Sequence, residues 1–213
     1  MKPFLDLRVY AVLDPTRTAG RNPVECVEAA VRGGATLVQL RHKKAGTRAF
    51  IDLARAVRER LAPHSVPLLI NDRVDVALAV DAEGVHVGQS DMEAADARRL
   101  LGPDRIIGVT VHHAAEARAV DPAVADYAGI GPVFVTASKD PGDPPIGPGG
   151  LRALVDELSG IPACGIAGVD HGNAASVIEA GAAGVAVISD IFMADDVEAA
   201  TRRLRKIVEE ALR

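Results

Sequence analysis

Two hydroxyls and one ammonium follow a short apolar run near the middle of the chain. They belong to Thr136, Ser138 and Lys139, and the run before them, Tyr127–Ile130, is typical of a buried strand. A segment rich in glycine and proline follows as far as Gly150 and is poorly suited to packing in a core. Hydroxyl and ammonium donors at the end of a strand suit a phosphate oxygen better than an apolar ligand. The sequence therefore predicts an anion-binding loop, with the tail as the segment best suited to close over it.

Charged side chains follow three other apolar runs. Arg41 and Lys43 come after the second run along the chain, Asp72 after the third and Asp91 after the fourth. Two interpretations remain open. The opposite charges could simply pair, since charges roughly 4 Å apart gain about 4 kcal/mol at an effective dielectric of about 20. Alternatively, the two carboxylates hold Mg²⁺, and the metal and the cations together bind a diphosphate.

Two short motifs, Ala167-Gly168 and Ile188-Ser189, follow the last two apolar runs. In barrels of alternating strands and helices, the loops after strands 7 and 8 frequently bind a phosphate through backbone amides. A glycine lets the backbone approach the anion closely, although a glycine often only turns the chain. Together the two motifs predict a second anion site, separate from the charged residues.

The histidines do not have the spacing of a zinc site. His86 lies within an apolar run and is predicted to fill the barrel interior rather than to bind a ligand. His42 lies between two cations, which disfavours its protonation. His112 is close enough to the end of the fifth run to take part in chemistry, whereas His113 and His171 are expected at the surface where helices begin.

The composition argues against several classes of partner. Aromatic residues make up only 3% of the chain, with no Trp, which argues against a platform for stacking nucleic-acid bases. The net charge of −5 provides no basic surface for DNA. No apolar run approaches the roughly 20 residues that a membrane span needs. Small-molecule partners are therefore predicted, and a homo-oligomer is compatible with the sequence.

The cellular compartment follows from the cysteines and the N-terminus. Cys26 and Cys164 lack metal-ligand spacing and a CxxC partner, so both are expected to be buried thiols in a reducing compartment. The N-terminal residues lack the apolar region of a signal peptide. A cytoplasmic location is expected.

Short apolar runs alternate with helical patterns along the whole chain. The runs predict eight strands: Val9–Leu13, Thr36–Leu40, Val66–Ile70, Gly84–Val87, Ile106–Val109, Tyr127–Ile130, Ile161–Ile166 and Gly184–Ile188. Asn22 and Pro23 predict the start of the first helix. Thr47 and Asp170 are the expected caps of two later helices, and the last helix is expected over Val197–Leu212.

Eight strand–helix units without a linker predict one domain over residues 1–213, folded as a (β/α)8 TIM barrel of the α/β class. The alternative is an open, doubly wound sheet. Such a sheet is expected to carry a G-x-G-x-x-G loop after its first strand, but Asp14-Pro15-Thr16 stands there. In a barrel, the polar residues that follow the strands would converge on one face.

Several motifs resemble those of the thiamine-phosphate synthase family, over nearly the whole chain. VQLRHK (Val38–Lys43) resembles the family's VQLREK motif, with His42 in place of an acidic residue. INDRVDVALAVDAEGVHVGQSD (Ile70–Asp91) is the most specific match. IIGVTVH (Ile106–His112) resembles a GxSxH motif, with Thr110 replacing Ser.

Two further resemblances cover the anion-binding loops. GPVFVTASKD (Gly131–Asp140) resembles a GPxFPTxTKxD motif, with Val135 for Pro and Ser138 for Thr. GIAGVD and GVAVIS resemble the family's phosphate loops, although Ala167 stands where a glycine is usual.

The resemblance implies a role for each matching residue. The residues implied to bind hydroxymethylpyrimidine diphosphate are Gln39, Arg41, Lys43, Asn71 and Lys139, with Leu40, His42 and Ala137 of the same motifs also counted as substrate-binding. Asp72 and Asp91 would hold one Mg²⁺ per active site. Thr110 would hydrogen-bond near the pyrimidine or its diphosphate, and Thr136 and Ser138 would contact the thiazole. Gly168, Ile188 and Ser189 would hold the thiazole phosphate. The residues implied to be catalytic are Lys139, Arg41, Lys43 and Thr110.

The implied reaction joins the pyrimidine diphosphate to a thiazole or carboxythiazole phosphate, forming thiamine phosphate and releasing diphosphate. It proceeds by ionisation at the pyrimidine methylene, followed by attack of the thiazole nitrogen, and needs no protein nucleophile. Two alternatives remain. A related barrel that aromatises the thiazole phosphate would use an acid–base group such as His112 and would not need the metal pair. A non-catalytic binding protein of the pathway should have lost part of the charged set, but Asp72, Asp91 and Lys139 are all present.

Overall fold

Eight parallel strands close into a barrel in the computed structural model, which describes residues 2–136 and 144–213. The strands are β1 (Val9–Leu13), β2 (Leu37–Leu40), β3 (Leu68–Asn71), β4 (Gly84–Val87), β5 (Ile106–Val111), β6 (Tyr127–Ile130), β7 (Ala163–Gly165) and β8 (Gly184–Val187). Each strand pairs with the next, and β8 pairs with β1 through Tyr10 and Ala186. This closure confirms the predicted barrel, because an open sheet leaves its two edge strands unpaired.

All eight predicted strands form. The predicted bounds of β1, β4 and β6 agree with the structure, whereas β7 is shorter than the predicted Ile161–Ile166. The flanking residues Ile161 and Ile166 are partly buried, and Ile166 still donates to the Ile130 carbonyl at 2.9 Å, so the apolar run extends beyond the strand.

The helices form an outer layer around the barrel. They are α1 (Pro23–Arg32), α2 (Thr47–Leu61), α3 (Val74–Val80), α4 (Ala94–Leu101), α5 (Ala114–Ala119), α6 (Gly147–Glu157), α7 (Ala174–Glu179), α8 (Ser189–Phe192) and α9 (Val197–Ala211). The predicted cap of α1 is confirmed, since the Asn22 side chain accepts a hydrogen bond from the Val24 amide at 2.9 Å. Within the described residues, no helix is long and apolar enough to cross a membrane.

Two predicted caps are wrong. Thr47 is the first residue of α2 rather than its cap, and its hydroxyl accepts a hydrogen bond from Arg73 instead. Asp170 lies one turn before α7, where its carboxylate accepts from the Gly172 amide at 2.8 Å. In both places the side-chain oxygen has a competing partner, which sequence patterns do not reveal.

The glycine- and proline-rich tail is partly helical. Residues 147–150 form the first turn of α6, so the tail ends at Ile146 rather than at Gly150. Pro148 is tolerated there because the first turn of a helix does not need its amide for an internal hydrogen bond.

The barrel interior is filled by side chains that point inward from the strands. Tyr10 and Tyr127 are the largest of them and are fully buried. Gly108 on β5 makes room for Tyr127, because a Cβ at this position would overlap the tyrosine ring. The larger hydrophobic core lies between the strands and the helices, with Phe50 and Phe192 among its members. The barrel is therefore a packed scaffold, and its carboxyl end is the face at which barrels of this kind bind ligands.

Candidate active site

A cavity of about 760 Å³ opens at the carboxyl ends of the strands. Eleven of the residues predicted from the sequence line it: Gln39, Arg41, Lys43, Asn71, Asp72, Asp91, Thr110, Thr136, Gly168, Ile188 and Ser189. They come from seven strand–loop junctions that are far apart in sequence. The closed parallel barrel brings them together, because every strand ends at the same face.

The other five predicted residues do not appear in the lining. Leu40 is fully buried between the barrel and the helices, since side chains alternate along β2 and Gln39 takes the inward position. His42 contacts Phe50 edge-on, with ring centroids 6.0 Å apart. Ala137, Ser138 and Lys139 lie outside the described residues.

Two carboxylates and one ammonium meet on the side of the cavity formed by the loops after β2, β3 and β4. Lys43 Nζ lies 3.4 Å from Asp72 Oδ2, and Asp91 is close enough to Asp72 for a side-chain hydrogen bond. Burial raises the pKa of Asp72 above its usual value, and the hydrogen bond and like charge of Asp91 raise it further, while Lys43 opposes the shift. Burial and the proximity of the two carboxylates therefore both disfavour a double negative charge at this position.

The backbone holds both carboxylates in place. Asp72 adopts a left-handed conformation (φ 62°), and its amide donates to the His86 carbonyl at 2.9 Å. Asp91 Oδ2 accepts a hydrogen bond from the Gly88 amide at 2.8 Å. A left-handed aspartate is strained relative to glycine, and such strain is concentrated at functional sites.

Arg41 is fixed by an ion pair that the sequence analysis did not find. Its Nη1 lies 2.7 Å from Asp14 Oδ2, and both side chains are largely buried. Asp14 Oδ1 also accepts hydrogen bonds from the amide (3.0 Å) and hydroxyl (2.6 Å) of Thr16. The loop after β1, noted only for lacking a glycine fingerprint, thus orients a predicted catalytic cation.

The loops after β7 and β8 present a backbone turn to the cavity, together with the side chains of Asp170 and Asp190. Ala167 and Gly168 are both left-handed, at φ 65° and 72°. A Cβ on Gly168 would lie 2.6 Å from the Val135 carbonyl oxygen, so this position requires glycine for space as well as conformation. The Phe134 amide donates to the Ala167 carbonyl at 3.1 Å and ties this loop to the loop after β6.

Ser189 is the first residue of the short helix α8 and has a cationic neighbour. Arg17 Nη1 lies 3.3 Å from Ser189 Oγ, and both residues line the cavity. This side of the cavity therefore combines a backbone turn and one guanidinium, which suit an anion, with the carboxylates of Asp170 and Asp190, of which Asp190 is paired with His171.

His171 joins these two loops, contrary to the prediction that it lies on the surface at the start of a helix. Its Nδ1 is 2.6 Å from Asp190 Oδ2, and its Nε2 is 2.8 Å from the Ala200 carbonyl oxygen. Both ring nitrogens thus face oxygen atoms. The sequence does not show this because the partners lie 19 and 29 residues further along the chain.

Three other histidines lie where the sequence places them. His86 is buried inside the barrel but also lines the cavity, and His113 accepts from the Glu116 amide where α5 begins. His112 lines the cavity, with its Nδ1 3.1 Å from Glu116 Oε2.

Neither cysteine has the environment of an activated nucleophile. Both are free and buried, and burial raises the pKa of Cys164 to about 12. Burial is also the largest cause that raises the pKa of Cys26. A thiol with a raised pKa is protonated at neutral pH and unreactive, so Cys164 has the packing role predicted for it.

Comparison with known proteins agrees with this geometry. A profile of the family described as thiamine monophosphate synthase (TMP-TENI) matches residues 9–191. The thiamine-phosphate synthase of Xanthobacter autotrophicus is 50% identical over 207 residues, which cover 97% of each chain. That of Chloroflexus aurantiacus is 49% identical over 205 residues, covering 96% of this chain and 94% of the relative.

A solved structure gives the same result in three dimensions. The thiamine phosphate pyrophosphorylase of Pyrococcus furiosus superimposes with a TM-score of 0.87 at 40% identity, covering 97% of this chain and 98% of the other. The sequence profile, the full-length relatives and the structural match all point to one family. The chain therefore belongs to the thiamine monophosphate synthase family and is a transferase of that type.

Proposed function

We propose that the protein joins hydroxymethylpyrimidine diphosphate to a thiazole phosphate, forming thiamine phosphate and releasing diphosphate in a magnesium-dependent, dissociative reaction. One observation carries the proposal. A single cavity is lined both by charged side chains from the loops after β2–β4 and by the backbone turn at Gly168 with Ile188 and Ser189. Two phosphate-bearing substrates that must react with each other need this arrangement.

The diphosphate would bind to the charged side of the cavity. Arg41 and Lys43 supply positive charge, and Asn71, largely buried at the end of β3, supplies an amide. Positive charge held at the leaving group lowers the barrier to its departure, because negative charge develops there in the transition state. Lys139 is proposed to join them on the strength of its sequence motif alone.

Asp72 and Asp91 fit a magnesium ion by their chemistry. Both are hard oxygen donors, they are close together, and burial and the neighbouring Asp91 raise the pKa of Asp72, which disfavours its charged form unless a cation binds. When bound, Mg²⁺ neutralises charge on a diphosphate. Among residues 2–136 and 144–213, no cluster of three or more His, Cys, Asp or Glu side chains could hold a metal. Substrate oxygens and water would therefore complete the coordination.

Calorimetry tests this ordered binding. Mg²⁺ should bind tightly only when inorganic diphosphate or the pyrimidine diphosphate is present. Tight binding of Mg²⁺ to the protein alone would contradict a metal site that the substrate completes.

The thiazole phosphate would bind at Gly168, Ile188 and Ser189. This site anchors the substrate by a group remote from its reacting nitrogen, so that binding energy contributes to orientation. Thr136, which lines the cavity, would contact the thiazole beside it.

A dissociative path agrees with the groups that are present. Such a reaction needs leaving-group stabilisation and positioning rather than a nucleophile, and the buried Cys164 thiol has a raised pKa. A cytoplasmic location is part of the proposal, because both free thiols suit a reducing compartment.

The decisive experiment is a coupling assay with both substrates and Mg²⁺. Thiamine phosphate and diphosphate should appear in equal amounts. If high enzyme concentration yields no thiamine phosphate but aromatises a thiazole phosphate tautomer, the protein is an isomerase. If it binds both substrates without reaction, it is a binding protein.

A further inference from the structure

Five buried polar side chains form a continuous hydrogen-bonded chain across the barrel interior. Gln39 Nε2 donates to the Tyr10 hydroxyl, and the Tyr10 and Tyr127 hydroxyls are 2.7 Å apart. His86 lies between Tyr127 and Thr110, with Nδ1 2.8 Å from the tyrosine hydroxyl and Nε2 2.9 Å from the threonine hydroxyl. Gln39 on β2 and Thr110 on β5 are the two ends of the chain and line the cavity, as do Tyr10 and His86.

The strand register makes this chain possible. His86 and Tyr127 are each level with Gly108, which lies on the strand between them. Because Gly108 has no side chain, the histidine and tyrosine rings approach to 5.5 Å between centroids across β5. The position of Tyr10 on β1 then brings its ring to 5.8 Å from that of Tyr127.

The Gln39 amide at one end of the chain determines the direction of every hydrogen bond that follows. Burial raises the pKa of both tyrosines well above the usual range, so each phenol keeps its single proton. Tyr10 accepts from Gln39 and must therefore donate to Tyr127, which in turn must donate to His86 Nδ1. With Nδ1 accepting, the ring carries its proton on Nε2 and donates it to the Thr110 oxygen.

We propose that Tyr10, Tyr127 and His86 are positioning residues that fix the direction of this chain, so that Thr110 presents a hydrogen-bond donor to the pyrimidine substrate. The Thr110 oxygen accepts from His86, and its own hydrogen is thereby directed to an acceptor atom on the cavity side. The same chain holds the Gln39 amide in one orientation, because one of its two N–H bonds is engaged by Tyr10. The role in substrate binding rests on the proposed function, whereas the direction of the chain does not.

The first test needs no substrate. In the ligand-free protein, ¹⁵N NMR of the histidine rings should show His86 as a neutral ring protonated at Nε2. His86→Asn identifies the signal among the six histidines. A ring protonated at Nδ1, or a charged ring at neutral pH, would overturn the proposed direction.

The second test links the chain to one substrate. Tyr127→Phe removes the donor to His86 and should raise the KM for the pyrimidine diphosphate by about tenfold, the size expected for one lost oriented hydrogen bond. The KM for the thiazole phosphate should stay within about twofold. The matched control is Thr201→Val, which removes another fully buried hydroxyl, one that donates to the Val197 carbonyl within α9.

The outcomes separate the two proposals. An unchanged KM for the pyrimidine diphosphate in Tyr127→Phe, or an equal change in Thr201→Val, would overturn the positioning role. A wild-type protein without synthase activity would instead contradict the proposed function, and the histidine spectrum would still confirm or overturn the direction of the chain.

Discussion

The loops after β2–β4 and the loops after β7 and β8 face the same cavity but present different chemistry to it. The first set carries full charges on side chains: Asp72 lies between Lys43 and Asp91, and Arg41 is held by Asp14. The second set presents a left-handed backbone turn at Gly168. Charged side chains can balance the charge of a metal ion and of a departing anion. A backbone turn has no net charge, so it mainly fixes the position of the bound group.

The two regions also differ in how they tolerate change. On the charged side, a substitution should remove chemistry while the fold survives, since the side chains lie at the cavity rather than in a core. On the backbone side, a substitution should disturb position and stability together, because Gly168 packs against the carbonyl of Val135. The predictions below test this difference.

Asp72→Asn should have the largest effect, lowering kcat by about a thousandfold, since a metal site supplies several kcal/mol of charge stabilisation. Steady-state kinetics with saturating Mg²⁺ measures the loss. Asp75→Asn is the matched control, because Asp75 pairs with Arg73 on an exposed surface and does not line the cavity. If Asp72→Asn keeps more than about a tenth of wild-type kcat, the metal assignment is wrong.

Gly168→Ala should raise the KM for the thiazole phosphate by about a hundredfold, because an added Cβ must displace the backbone that positions the substrate. It should also cost about 3 kcal/mol of stability. Gly160→Ala isolates the conformational part, since Gly160 has φ 81° with no atom within 4 Å of an added Cβ, and should cost only about 1 kcal/mol. Equal melting temperatures of the two variants would show that packing at Gly168 does not matter.

Asp14→Asn should raise the KM for the pyrimidine diphosphate by about tenfold, because Arg41 loses the charge that orients it. The KM for the thiazole phosphate should hardly change. Asp6→Asn breaks a similar part-buried pair, with Arg8 at 2.5 Å, that lies outside the cavity lining. If the KM values for both substrates rose, Asp14 would shape the whole cavity rather than orient Arg41 alone.

Arg17→Ala should raise the KM for the thiazole phosphate by about fivefold and make it less dependent on salt, because one cation near Ser189 is lost. Arg203→Ala, an exposed residue of α9, makes the same change in net charge. Arg17 would be excluded from the anion site if the two variants gave the same KM and the same salt dependence.

The smallest effect concerns stability and pH. The folded-state pKa of Asp72 is raised, so its ionisation disfavours the folded state, and this cost disappears as the pH falls through the raised pKa. Asp72→Asn should therefore be slightly more stable than wild type at neutral pH, and the difference should shrink on acidification. Denaturant titrations of both proteins at a series of pH values from neutral to acidic measure the difference in unfolding free energy. If the stability advantage of Asp72→Asn over wild type grew as the pH fell, the pKa of Asp72 would be lowered in the folded state rather than raised.

Much of the site could be predicted because its residues stand at strand ends. Asp72 and Asp91 are recognisable wherever apolar runs stop at a charged group, and the barrel brings such positions together. The prediction counted Leu40 with its neighbours as a site residue, but alternation along β2 directs its side chain into the outer core. Motif membership does not distinguish the two faces of a strand.

Other functional contacts could not be predicted because they join distant parts of the chain. Asp14 meets Arg41 only when β1 and β2 pair, and His171 reaches Asp190 only when the last two loops pack together. Taken alone in the sequence, Asp14 and His171 are typical of residues in turns or at helix ends.

The amino-acid sequence by itself determined the eight strand–helix units, the closed barrel they predict and the family to which the chain belongs. These follow from local periodicity and from motifs that are contiguous in sequence. Only the tertiary structure decided the pairing of Arg41 with Asp14 and the hydrogen-bonded chain from Gln39 to Thr110. The physical reason is that hydrogen bonds and ion pairs depend on distances of a few ångströms, which strand register and barrel closure set.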